Sequence, residues 1–172
     1  MRLLCAGALL ALAAPAAAVE LSHFPIDVAD PEPGRDRWQV LYQLDSFPYA
    51  QGYGFTVYFD PTLYAELESD PAPHPHWDAI TSEPDPNLGA DGFLDVETVV
   101  DTPSTAAVFA VSFDWLGAGT PGAQPFEVRE PAPGYATVES GTTVLPEPGA
   151  LALSAGSALA LGALRTARRT RC

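Results

Sequence analysis

Lysine is absent from this sequence, and other positive charge is sparse. The 8 basic side chains are all arginine and face 22 acidic ones, for a formal net charge of −14. A nucleic-acid surface neutralises phosphates with clustered Lys and Arg, so a bulk charge of this sign excludes that class of partner. Cysteine is scarce too: the 2 present, Cys5 and Cys172, stand at the two ends. The interior therefore has neither an intradomain disulfide nor a thiolate metal site. No Gly-x-Ser-x-Gly elbow and no Gly-rich phosphate loop occurs, so no catalytic nucleophile or nucleotide cradle is marked. With 22 acids, a carboxylate pair at glycosidase separation arises by chance and identifies nothing. No enzymatic activity is expected, and no repeat of fixed period is visible. What remains is 172 residues, 47% of them hydrophobic, enough for one modest domain and too apolar for a disordered acidic tail.

The charge divides the chain into three pieces. All acids lie between Glu20 and Glu147, and only Arg35, Arg37 and Arg129 share that span, so three arginines against 22 acids leave it at −19. Residues 1–18 read as a secretory signal peptide. Arg2 is a minimal positive start, residues 3–14 form the apolar run, and Pro15 breaks it before the small residues Ala16, Ala17 and Ala18. Signal peptidase would cut after Ala18 and leave Val19 as the new N-terminus. The alternative is a buried N-terminal helix.

At the other end, Pro146-Glu147-Pro148 precedes sixteen uncharged residues, 149–164. Arg165, Arg168, Arg169 and Arg171 then crowd the last eight positions. A bilayer crossing needs about 20 apolar residues, so this helix spans only if Arg165 snorkels its stem towards the interface. The arginines would hold the tail in the cytoplasm by the positive-inside rule. A soluble Ala/Leu helix is the alternative, but it leaves the terminal arginine cluster without a reason.

This order of Pro-Glu-Pro, short apolar helix and terminal arginine cluster resembles the PEP-CTERM sorting signal of Gram-negative bacteria. The resemblance covers residues 146–172 and does not reach the interior. It implies that the chain is a substrate of an exosortase-like membrane transpeptidase acting at Pro146, Glu147 and Pro148. It further implies an exported, inner-membrane-anchored precursor, then a protein of the cell surface or of an exopolysaccharide matrix. The two prolines suit that role physically, because they keep the segment extended and free of helix just outside the bilayer.

Residues 19–144 are predicted to form one all-β domain. Strands are expected over 38–44, 54–59, 93–100, 106–115, 125–129 and 135–139, each with alternating or β-branched and aromatic residues. Residues 63–68 read as a helical turn. Several short strands separated by Pro, Gly and Asp point to a single antiparallel β-sandwich. Gly54-Phe55, Phe59-Asp60 and the late Gln124-Pro125-Phe126-Glu127 resemble, loosely, the Ig-like sandwich of cohesin-type modules.

Three candidate sites stand out. Asp85, Asn87, Asp91 and Asp95 offer hard oxygen ligands around a glycine turn, as calcium loops do. Gly89 and Ala90 break the spacing of a helical calcium loop, so a looser site or an ordinary Asx turn are the two readings. His74, His76 and Asp78 could present three zinc ligands on an extended segment, against a plain surface loop anchored by Trp77. Tyr49, Tyr53 and Trp77 could form a sugar-stacking face for polysaccharide, or belong to the core. No cofactor other than calcium is indicated.

Overall fold

Nine strands and no helix make up the described part of the chain, residues 18–69 and 75–146 of the computed structural model. In chain order they are β1 (Glu20–Asp27), β2 (Arg37–Ser46), β3 (Gly54–Phe59), β4 (Tyr64–Ser69), β5 (Trp77–Ser82), β6 (Gly92–Thr98), β7 (Val108–Trp115), β8 (Pro125–Arg129) and β9 (Thr137–Thr142). They form two antiparallel sheets, a four-stranded one in the order β1-β2-β7-β4 and a five-stranded one in the order β5-β6-β3-β8-β9. Of the expected N-terminal signal segment, 1–18, all but Ala18 lies outside the described residues, as does the expected C-terminal helix, 149–164.

Alternation builds the core. Val40, Tyr42 and Leu44 of β2 point inward, as do Phe109, Val111 and Phe113 of β7. Phe55, Val57 and Phe59 of β3 meet them from the other sheet. Across the two layers Phe55 lies 5.6 Å from Phe109, and Phe59 lies 6.0 Å from Phe113. Each pair seeds an aromatic cluster. Phe47 and Trp77 join the first, and Tyr64 and Trp115 the second. Tilted and edge-to-face ring pairs of this kind add about 0.5–1.5 kcal/mol each beyond the area they bury.

Residues 63–68 are not a helical turn; they enter β4. The register of β4 on β7 passes from Ala65 opposite Asp114 to Glu68 opposite Ser112, so Glu66 and Leu67 face a single residue. Glu66 takes a left-handed φ of 53° to make that bulge. The bulge brings Tyr64 and Leu67 to the same buried face at a spacing of three, which imitates helical periodicity. Two strands carry no alternation signal. β1 contains Ser22, His23 and Pro25, and β5 is an edge strand buried only at Trp77.

After β9 the chain crosses to the edge of the other sheet. The His23 amide donates to the Val144 carbonyl at 2.8 Å, and the Val144 amide donates to the Leu21 carbonyl at 3.0 Å. This parallel bridge brings both ends of the domain together beside β1.

His23 faces the core opposite Tyr42 and is 1% exposed. Neither ring nitrogen has a hydrogen-bond partner of ordinary geometry, and the Tyr42 hydroxyl is also unpaired. Burial pushes the imidazole below its usual 6.5, opposed in part by the Val144 carbonyl. Below that pH the unfolded chain takes up a proton that the folded one resists, so stability falls as pH drops. Urea unfolding at neutral and mildly acidic pH should show this loss in the native protein. It should be markedly flatter in His23→Leu, which buries no titratable ring.

Candidate functional site

The outer face of the five-stranded sheet carries a groove of about 380 Å³. Gly52 and Gly54 line its floor, and Asp95, Glu97, Arg129, Glu130 and Tyr135 form its walls. Gly52 enters β3 with a φ of 84°, a conformation that costs glycine little. Since Phe55, Val57 and Phe59 face inward, Thr56 and Tyr58 must face outward. Phe126 and Val128 impose the same on Glu127 and Arg129.

A polar network holds these side chains. The Tyr58 hydroxyl donates to Glu127 Oε2 at 3.0 Å and accepts from the Arg129 guanidinium. That guanidinium also lies 5.8 Å from the centre of the Tyr58 ring and 3.6 Å from the Glu127 carboxylate. Thr137 donates to the same carboxylate at 3.1 Å, and Thr56 donates to Asp95. Burial, then the Glu127 hydrogen bond, raise the Tyr58 pKa, with Arg129 pulling the other way. Tyr58 therefore stays a neutral donor at physiological pH. The groove thus presents a fixed guanidinium, three acids and the exposed ring of Tyr135. Hydrogen-bonding groups beside an aromatic face are what sugar recognition uses.

A second hollow, of about 490 Å³, is lined by Arg35, Arg37, Glu66, Glu68 and Glu83 near the β4 edge. Its arginines are committed internally. Arg35 pairs with Asp114, while Arg37 reaches Asp114 at 3.1 Å, Glu68 at 2.8 Å and the Glu66 carbonyl at 2.8 Å. The network ties the β4 bulge to β2 and β7, and its role is structural.

The structure disperses the predicted calcium ligands. Asp85 caps its own turn, accepting from the amides of Asn87 at 2.9 Å and Leu88 at 3.3 Å, so the Asx-turn reading describes it. Asn87 is exposed in that turn, Asp91 is exposed just after it, and Asp95 sits on β6 with Thr56. Among the described residues no group of three or more His, Cys, Asp or Glu could hold a metal ion. His74 lies outside the described residues, Asp78 is exposed, and His76 Nδ1 accepts the Ser104 amide at 3.0 Å.

The sugar-stacking trio is not a surface platform. Trp77 is 7% exposed, with its indole N–H on the Ser104 carbonyl at 3.0 Å. Tyr49 and Tyr53 stack on each other at 5.0 Å and pack against the core. Of the processing residues, Ala18 is exposed, Val19 is buried and Pro146 is half-buried. Ala16, Glu147, Pro148 and the four terminal arginines lie outside the described residues.

The aromatic-cationic groove was not visible from motifs. Alternation places Thr56, Tyr58, Glu127 and Arg129 outward, but nothing local pairs β3 with β8, some 71 residues later. No protein-family model matches the chain, and no curated protein matches it.

Proposed function

We propose that the chain is an exported, non-catalytic β-sandwich, Ig-like or cohesin-like in its arrangement. It is sorted to the cell surface through its C-terminal Pro-Glu-Pro signal and serves a structural role in an exopolysaccharide matrix. The observation that carries this reading is where the described strands lie. Among the described residues the first strand opens at Glu20, two residues past the expected signal-peptidase cut, and the last backbone pairing is at Val144, two residues before Pro146. The described strands thus lie within the interval between the two proposed processing signals. Both ends of the described domain also leave from the same edge, beside β1. With both end pieces removed, residues 19–148 carry −19, a self-repelling surface suited to a hydrated matrix.

The groove on the five-stranded sheet favours a second reading, contact with polysaccharide. Its size is within the usual range of ligand sites, and the acidic surroundings favour neutral or amino sugars over uronic acids.

One preparation tests both. Protein isolated from cells that export it is expected to start at Val19 and to lack the residues beyond the Pro-Glu-Pro triplet by intact mass. Replacing Pro146, Glu147 and Pro148 with alanine should leave it uncleaved in the membrane fraction. Release of that variant like the native protein would sink the sorting reading. Native protein that retains no polysaccharide on isolation and binds none added back removes the second.

A further inference from the structure

We propose that Glu139 is a binding site for the α-ammonium group created by cleavage between Ala18 and Val19, so that removing the leader completes the fold. The inference rests on the signal-peptide reading and adds to it a docking site for the product.

Val19 is 6% exposed, and its backbone nitrogen donates to Glu139 Oε1 at 2.9 Å across 120 residues of sequence. Tyr49 donates to the other oxygen, Oε2, at 3.0 Å. Tyr49 is itself held by a stack on Tyr53 at 5.0 Å and an edge contact with Phe47 at 5.3 Å. Burial first, and the bond to Glu139 second, raise its pKa and keep the hydroxyl a donor. The carboxylate is thus fixed from one side by a tyrosine and aimed from the other at Val19. Ala18, the last residue before the cut, is exposed.

The cleavage chemistry supplies what the carboxylate lacks. Water adds across the Ala18–Val19 peptide bond, its oxygen to the Ala18 carbonyl carbon and its hydrogen to the Val19 nitrogen as the C–N bond breaks. At neutral pH Ala18 leaves as a carboxylate, and the released proton makes Val19 an ammonium. A single neutral N–H facing Glu139 becomes a cation with three, and an ordinary hydrogen bond becomes a charge-assisted one. The buried Val19 side chain sets the order of events. Peptidase must cut while residue 19 is still extended, and docking follows.

The absence of lysine makes the test unusually clean, because the α-amine of the cleaved chain is its sole primary amine. Protein is isolated from cells that export it, and intact mass first establishes whether it begins at Val19. Any other start overturns the leader reading and this proposal with it. The protein is then treated with an N-hydroxysuccinimide acetate at mildly alkaline pH, natively and in denaturing urea. A one-unit rise in the amine's pKa corresponds to about tenfold less free amine, so native acetylation should be at least about tenfold slower than in urea. In Glu139→Gln, which keeps an acceptor for Tyr49, most of that protection should vanish. Equal rates natively and in urea, or a Glu139→Gln protein as protected as the native one, would overturn the docking site while the leader reading stands. If circular dichroism shows Glu139→Gln unfolded, the native-versus-urea comparison alone decides.

Discussion

Asp114→Ala is expected to lower the unfolding free energy by about 3–5 kcal/mol, the cost of removing one partner from a buried ion pair. The Asp114 side chain on β7 is 10% exposed, and that of Arg37 is 13% exposed. Truncation strands the Arg37 guanidinium among Glu68 and the Glu66 carbonyl, and it releases Arg35. The Asp114 pKa is the balance of two effects. Burial raises it, but hydrogen bonds from Arg35 and Arg37 and their charges outweigh burial and hold it below 3.8. A depressed carboxylate contributes stability that is present above its unfolded pKa and lost as pH falls through its folded one. Urea unfolding should therefore show the full gap between native and Asp114→Ala at neutral pH. The gap should narrow in strong acid, where the native carboxylate also protonates. A gap that does not change with pH would mean that the network contributes through shape and not through charge.

Trp77→Ala is the second substitution expected to be severe, at about 3–5 kcal/mol for truncating a buried aromatic. Trp77 meets Phe47 at 5.1 Å, Phe109 at 5.7 Å and Phe55 at 6.3 Å, and its N–H is bonded to Ser104. Domains of this size are stable by only about 5–15 kcal/mol in total, so the loss consumes much of the margin. By contrast Tyr135→Ala, at a residue 57% exposed, should change stability by no more than about 0.5 kcal/mol. Thermal or urea melts of the two variants check the contrast directly. They also decide how polysaccharide binding is to be probed. A loss of binding in Trp77→Ala reports unfolding, whereas a loss in Tyr135→Ala reports on the groove.

The strands that alternate were legible. The expected 38–44, 54–59 and 125–129 lie wholly in strands, and 93–100, 106–115 and 135–139 overlap β6, β7 and β9 with ends displaced by up to three residues, because period-two burial writes itself into residue type. β4 imitates a helical turn in sequence because its bulge spaces Tyr64 and Leu67 as a helix would. β1 gave little signal because it buries the polar Ser22 and His23, and β5 because it is an edge strand that buries only Trp77 and leaves polar residues such as Asp78 exposed. Of the calcium quartet, Asp85 lies in a turn and accepts from the Asn87 amide, while Asp95 lies on β6 and accepts from Thr56 of the neighbouring β3, a placement that sequence adjacency does not show.

Composition and order along the chain were enough to determine the all-β class, the acidic interior without lysine or cysteine, and the expectation of a leader and a sorting tail. Those properties follow from charge, hydropathy and period, which are additive along a chain. Which surfaces meet was decided by the tertiary structure alone. Arg129 reaches Tyr58, Arg37 reaches Asp114, and Val19 reaches Glu139 over separations of 71, 77 and 120 residues. A strand's period tells each side chain which face to take, but the neighbour on that face is set by strand order. Strand order depends on how the two sheets together bury their aromatics, a property that no segment holds by itself.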